Sequence, residues 1–192
     1  MRPKTLPIKL LCLVLLLFCA DLYAQDVTRG TKEFEFFAQG GHSVSGGRGD
    51  TSIFNAGMRV GFALFNLGPG SVEHEFEAIP VYYFAQPGKN AYGVSFTPFD
   101  IKYNFQRNST RPMPFIELGG GVLFTNSDVP FGTNKVNFTP QAGVGVHIPF
   151  GSRGFHATLA LKYVHVSNAG LSEPNPGLNS VQVRLGFGKF KK

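Results

Sequence analysis

Tryptophan is absent from the 192 residues, and the only cysteines, Cys12 and Cys19, both lie near the N-terminus. Everything after Gln25 therefore lacks disulfides and thiol chemistry. No apolar stretch beyond that point approaches the ~20 residues of a membrane-spanning helix. Charge is sparse, with Asp, Glu, Lys and Arg making up 16% of the chain, and no Lys/Arg cluster supports nucleic-acid binding. His42, His74, His147 and His156 are scattered singly, without Cys or carboxylate partners at ligand spacing, so the sequence implies no metal and no cofactor.

The N-terminal segment reads as an export signal. Arg2, Lys4 and Lys9 precede the apolar run Leu10 to Phe18, and Leu22-Tyr23-Ala24 supplies a small residue before Gln25. Residues 1–24 are accordingly set apart as a secretory signal peptide, and residues 25–192 as one domain. Lipidation at Cys19 is the alternative, disfavoured by the bulky Phe18 before it. Removing Arg2, Lys4, Lys9 and Asp21 leaves 15 basic and 11 acidic residues, a mild net charge of +4 that suits an anionic lipid surface.

In the remaining chain Gly and Phe are abundant, 24 and 20 over the whole sequence, and apolar residues recur with period two. Eight alternating segments stand near 32–41, 52–65, 72–85, 91–105, 114–125, 136–149, 155–167 and 179–189. An even number of such segments predicts an all-β, eight-stranded antiparallel up-and-down barrel. The second segment sets Phe54, Met58, Val60 and Phe62 against Asn55, Gly57, Arg59 and Gly61. The third sets Phe76, Ala78, Pro80, Tyr82 and Phe84 against Glu73, Glu75 and Glu77. A face mixing glycine with Glu, Arg, His and Gln fits a narrow polar lumen, with the large apolar face toward lipid, which makes this a transmembrane barrel. A soluble, lipocalin-like barrel with the faces reversed is the alternative. Glu35, Arg59, Glu75, Glu117, Lys162 and Arg184 read as lumen charges that pair with one another. Eight strands leave a lumen that side chains fill, which argues against a pore.

Thr97-Pro98-Phe99 shifts the apolar parity within the fourth segment and predicts a bulge, where proline is tolerated. Phe65, Tyr82, Phe84, Tyr92, Tyr103, Phe105, Phe150 and Tyr163 lie near strand ends, where interfacial aromatic girdles form. The connections near 66–71, 106–112 and 150–154 are expected at the periplasmic end, and those near 42–51, 86–90, 126–135 and 168–178 at the outer end. Arg48, Lys89 and Lys135 on three outer connections are placed to meet anionic lipid headgroups. The Arg48-Gly49-Asp50 and Asn108-Ser109-Thr110 triplets resemble adhesion and glycosylation motifs, but loops rich in small residues yield both by chance.

The chemistry concentrates in YVHVSNAGLSEPNPGLNS, residues 163–180. His165 and Ser167 continue the face of Phe155, Ala157, Leu159, Leu161 and Tyr163, so their parity directs them at lipid at the outer end of the seventh strand. Two residues along a strand separate the Cα atoms by about 6.6 Å, within reach of an imidazole–hydroxyl pair. A general base beside a hydroxyl is the minimum for acyl transfer, and the boundary between acyl chains and sugars is where lipid esters lie. The bland reading is an interfacial His and Ser closing a strand.

Together with the downstream Asn175-Pro176-Gly177-Leu178, the run His165, Ser167, Asn168, Ala169 resembles the signature of the outer-membrane lipid A 3-O-deacylases, the bacterial acyloxyacyl hydrolases. The resemblance implies an eight-stranded outer-membrane barrel that hydrolyses the 3-O-linked hydroxyacyl chain of lipid A in lipopolysaccharide. It implies Ser167 as nucleophile, His165 as general base, and Asn175 with backbone donors around Gly170 as oxyanion stabilisers. Asn175-Pro176-Gly177 also suits a tight turn, and Asn168 a strand-end cap. The family's glutamate two residues beyond the motif glycine is replaced by Asn179, whose parity sets it beside His165. Glu173 in the same loop is the alternative acid. The Asn179 replacement is also the best argument for the rival reading, a catalytically silent barrel with a structural or adhesive role.

Overall fold

The computed structural model describes residues 26–47, 49–107, 112–150 and 154–192. The signal segment 1–24, Arg48 and the triplet Asn108, Ser109 and Thr110 lie outside the described residues. The strands are β1 (Lys32–Gly46), β2 (Ser52–Leu67), β3 (Gly70–Ala85), β4 (Ala91–Asn104), β5 (Met113–Thr125), β6 (Val136–Phe138), β7 (Gln141–Pro149), β8 (Phe155–Val166) and β9 (Leu178–Lys191). Every neighbouring pair is antiparallel, and β1 pairs with β9 to close the sheet on itself.

β6 and β7 share one position beside β5, so nine pieces make eight staves. The interruption falls at Thr139-Pro140. Proline has no N–H for the ladder, yet its carbonyl still accepts from His165 N at 2.9 Å, and Thr139 N donates to Gly121 O at 2.8 Å. Each of the eight expected segments occupies one stave.

Alternation dictates what faces where. In β1, Phe34 and Phe36 project outward between buried Glu33, Glu35 and Phe37; in β9, Val183, Leu185 and Phe187 project outward between buried Gln182 and Arg184. Large apolar side chains cover the outside while charge fills the inside, which is the reverse of a lipocalin-like soluble barrel. The strands are 12–16 residues long at most positions, enough for a tilted crossing of a bilayer.

The predicted bulge is present: the β4–β5 register shifts between Phe96 and Phe99, and both phenylalanines face outward. A second bulge was not foreseen. Pro80 and Val81 both face outward, and the β3–β4 register shifts between Ile79 and Tyr82. Beyond it the parity of β3 is reversed, so Tyr82 and Phe84 are 3% and 0% exposed inside the barrel and take no part in an outer girdle. Phe65, Tyr92, Phe105 and Tyr163 are exposed as expected.

The lumen is layered. At the end that carries the longer connections, Phe37, Ile53, Ile79, Tyr82, Phe84 and Leu123 form an apolar plug with Val164, Val166 and Leu178. At the opposite end Val27, Ala63, Met113 and Phe190 form a smaller one. Between them lie seven buried carboxylates, Glu33, Glu35, Glu73, Glu75, Glu77, Asp100 and Glu117, with four buried cations, Arg59, Lys102, Lys162 and Arg184. Arg59 binds Glu35 at 3.0 Å, Glu75 at 3.0 Å and Glu117 at 2.9 Å. Lys102 reaches Glu33 at 2.5 Å, Glu75 at 2.7 Å and Glu73 at 3.1 Å. Lys162 meets Glu117 at 2.8 Å, and Arg184 meets Glu77 at 2.5 Å. Side chains thus occupy the bore along the described strands.

Because Arg59 ties together acids from three staves, replacing it by methionine strands several buried carboxylates. Arg59→Met is expected to lower stability by about 3–5 kcal/mol. A fall in the urea midpoint of the refolded protein in detergent micelles or lipid vesicles checks it.

Candidate active site

The site grows from strand register. β8 and β9 pair so that His165 stands opposite Asn179, and β9 and β1 pair so that Asn179 stands opposite Ser45. All three lie on the outward face, in line with exposed Leu159, Leu161 and Tyr163 on β8 and with Val181 and Val183 on β9. Asn179 Oδ1 accepts from His165 Nδ1 at 2.7 Å and from the Tyr163 hydroxyl at 2.7 Å, while its Nδ2 donates to Ser45 Oγ at 2.9 Å. An amide oxygen can only accept, so Nδ1 carries a proton, and in the neutral ring the lone pair is on Nε2. The arrangement makes Nε2 the basic nitrogen.

Gly177 backs the ring. A Cβ added there would stand 2.7 Å from His165 Cε1, and the backbone has φ +62°, so this position excludes side chains on two counts.

Ser167 follows the last residue of β8 and is held through its backbone: its carbonyl accepts from Phe138 N at 2.7 Å, and its N–H donates to Phe138 O at 3.2 Å. Its side chain is mostly buried, and among the described residues the hydroxyl has no hydrogen bond to His165. Catalytic hydrogen bonds are commonly long before substrate arrives.

The loop after Ser167 is organised by Asn168, which is buried. Its Oδ1 accepts from Gly170 N at 2.9 Å, and its Nδ2 donates to Ser172 O at 2.8 Å. Its own N–H donates to Asn175 Oδ1 at 3.2 Å. That bond ties Asn175 to the segment that follows Ser167. The Gly170 amide, expected as an oxyanion donor, is spent within the loop on Asn168. Glu173, the alternative acid, is exposed and accepts from Asn175 N at 3.1 Å rather than from His165. The structure therefore brings His165 and Asn179 together, sets Asn175 beside the Ser167 segment, and leaves Glu173 apart.

Two members of the cluster have no sequence signature of their own. Tyr163 was visible only as part of the apolar stripe, and Ser45 comes from a Gly/Ser-rich strand end brought in by closure of the barrel. An apolar groove begins beside the cluster, lined by Ala142, Val144, Leu161, Tyr163 and Val181, and continues toward the opposite end past Ile116, Leu159 and Val183. On the connections above, Lys89 and Lys135 line one cleft with Asn126, Ser127, Asp128 and Phe131.

Replacing Asn179 by alanine removes the side-chain partner that the imidazole has among the described residues. The His165 ring 15N shifts are then expected to move from a single-tautomer pattern to an averaged one, read by NMR on the folded protein in micelles.

Comparison with known proteins agrees with this picture. The family model described as lipid A 3-O-deacylase (PagL) matches residues 74–188. The lipid A deacylase PagL of Pseudomonas aeruginosa is 33% identical over 97 residues, covering 48% of this chain and 51% of that protein. The chain thus spans about half the length of this relative in the match. Among solved structures, the outer membrane enzyme PagL superposes with a TM-score of 0.57 at 24% identity, over 79% of this chain and 97% of that one. Neisserial surface protein A superposes equally well, with a TM-score of 0.57 at 11% identity over 84% and 99%. These likenesses concern the barrel itself.

Proposed function

The chain belongs to the lipid A 3-O-deacylase (PagL) family, and from that premise we propose that it is a serine esterase that hydrolyses the 3-O-linked hydroxyacyl chain of lipid A. It is an outer-membrane barrel, and its substrate is lipopolysaccharide already in the same leaflet. The observation that carries the reading is the His165–Asn179–Tyr163–Ser45 cluster on the lipid-facing wall. Polar groups exposed to hydrocarbon are costly, and here they are joined to one another at the end of the barrel that carries the longer connections.

In the proposed reaction Ser167 Oγ attacks the ester carbonyl while His165 Nε2 takes its proton. The carbonyl oxygen gains the negative charge, and Asn175 Nδ2 is the proposed side-chain donor to it, a contribution of about 3 kcal/mol. Collapse of the tetrahedral species expels the sugar 3-oxygen, which receives the proton from His165, and leaves an acyl-enzyme. Water then attacks the acyl carbon, its proton passing to His165 and on to Ser167 as the hydroxy acid departs. Asn179 fixes the tautomer throughout. It carries no charge to offset the imidazolium, and the second hydrogen bond, from Tyr163, only polarises its amide.

The groove below the site gives the departing acyl chain an apolar bed, and Lys89 and Lys135 are suited to the phosphates of lipid A. The silent-barrel reading has Asn179 as its best support.

Mass spectrometry of lipid A from cells expressing the protein is expected to show loss of one hydroxyacyl mass. Ser167→Ala and His165→Ala should each abolish it, with rates falling at least ~10³-fold. Unchanged lipid A with correctly folded wild-type protein establishes the silent barrel instead. Asn179→Glu is expected to raise turnover at least ~10-fold, since the opposite exchange in a serine triad of another fold costs ~10⁴. Initial rates on purified lipid A in mixed micelles measure that change.

A further inference from the structure

At the end of the lumen remote from Ser167 the barrel assembles a group that the sequence scatters over three segments. His147 comes from β7, His156 from β8, and Glu33 and Glu35 from β1. The histidines are scattered singly in the chain, and closure of β1 against β9 brings the glutamates of the first strand to the two that flank the β7–β8 connection. All four side chains are buried. One donor atom from each lies within 4.8 Å of the other three.

We propose that Glu33, Glu35, His147 and His156 form a binding site for one divalent transition-metal ion, of which zinc best suits the ligands. Glu33 Oε1 lies 2.9 Å from His156 Nε2 and 3.8 Å from His147 Nδ1, and Glu35 Oε2 lies 3.6 Å from His156 Nε2. The edges of a tetrahedron with metal–ligand bonds of ~2.0–2.1 Å are ~3.3–3.4 Å, so these spacings bracket a four-coordinate site of two nitrogens and two oxygens.

Charge and packing both bear on the site. The buried lumen holds seven carboxylates and four Lys or Arg residues, an excess of three acids that bound protons or a bound cation must offset. The strand opposite packs directly on the donor residues: a Cβ at Gly186 would stand 2.7 and 2.8 Å from the two Glu35 carboxylate oxygens, and one at Gly188 would stand 2.5 Å from His156 Nε2, so glycine at these two points of β9 is what lets Glu35 and His156 hold their positions.

The surroundings orient the donors. Arg59 Nη2 binds the other oxygen of Glu35 at 3.0 Å, and Lys102 binds the other oxygen of Glu33 at 2.5 Å, leaving Glu35 Oε2 and Glu33 Oε1 turned toward the histidines. Thr158 Oγ1 meets His147 Nδ1 at 3.0 Å and donates to Glu35 Oε2. Ligation moves each imidazole proton to the far nitrogen, His147 Nε2 or His156 Nδ1, both of which lack a hydrogen-bond partner. Phe115 stacks on His147 at 4.5 Å and Phe190 on His156 at 4.3 Å, so the site is screened from water. His156 and His165 are nine residues apart on β8, about 30 Å along the strand, so the role of the ion is structural.

The test uses untagged protein, refolded into detergent micelles after treatment with chelator, exposed to ZnCl2 or CoCl2 and freed of unbound metal. A single retained ion per folded chain is expected by plasma mass spectrometry, with the intense visible bands of tetrahedral cobalt. Both should be lost in a His147→Gln/His156→Gln double variant that still shows the heat-dependent gel shift of a folded barrel. Should that variant not fold, Glu35→Gln replaces it, with affinity expected to fall at least ~10-fold. Folded wild type that retains no metal, or no more than the variants, overturns the proposal. Neither readout depends on deacylation.

Discussion

The structure depends on moving charge from the outside of a sheet to its inside. A bilayer accepts a strand only if its outward residues are apolar and every backbone polar group is paired, so polarity must be absorbed by the bore. Here the absorber is a set of ion pairs centred on Arg59 and Lys102, each cation shared among acids from different staves. Such pairs gain little over a well-packed apolar core, but removing one partner is expensive because the rest cannot find water. They tie staves that are distant in sequence to a common centre and fix which faces are in and which are out. The outward parity of β8 and β9 is a consequence of that inner anchoring.

Register then does for the site what charge does for the barrel. Pairing of β8 with β9 sets Asn179 opposite His165, and pairing of β9 with β1 sets Ser45 opposite Asn179. Three strands contribute to one hydrogen-bonded row, which is rigid because each member is held by ladder bonds rather than by a loop. The segment of Ser167 differs: it sits just past the end of β8, beside the Thr139-Pro140 interruption, and relies on Asn168 and Asn175 for its shape. The strand-held imidazole of His165 and the hydroxyl of Ser167 thus have separate structural origins.

Much of this was legible in the chain. Period-two alternation located all eight staves, and the parity of 155–167 and 179–189 was enough to set Asn179 beside His165. The Thr97-Pro98-Phe99 bulge was visible because the apolar residues changed parity across it. The bulge at Pro80-Val81 was hidden because Tyr82 and Phe84 keep an unbroken apolar alternation, and an aromatic looks the same whether it plugs a lumen or meets a lipid. Ser45 and the grouping of Glu33, Glu35, His147 and His156 could not be read at all. Both follow from closure of β1 on β9, a contact between the two ends of the domain that no local pattern encodes.

The two apolar plugs have a kinetic corollary. With Phe84 and its neighbours toward one mouth and Phe190 toward the other, apolar side chains occupy the bore of the described barrel near both ends, and the row on the outer wall faces the surrounding lipid. For the proposed reaction the governing quantity is therefore the mole fraction of substrate among surrounding lipids. Encounter is a two-dimensional search, and anything that alters the packing of that leaflet changes the rate without touching a single residue of the protein.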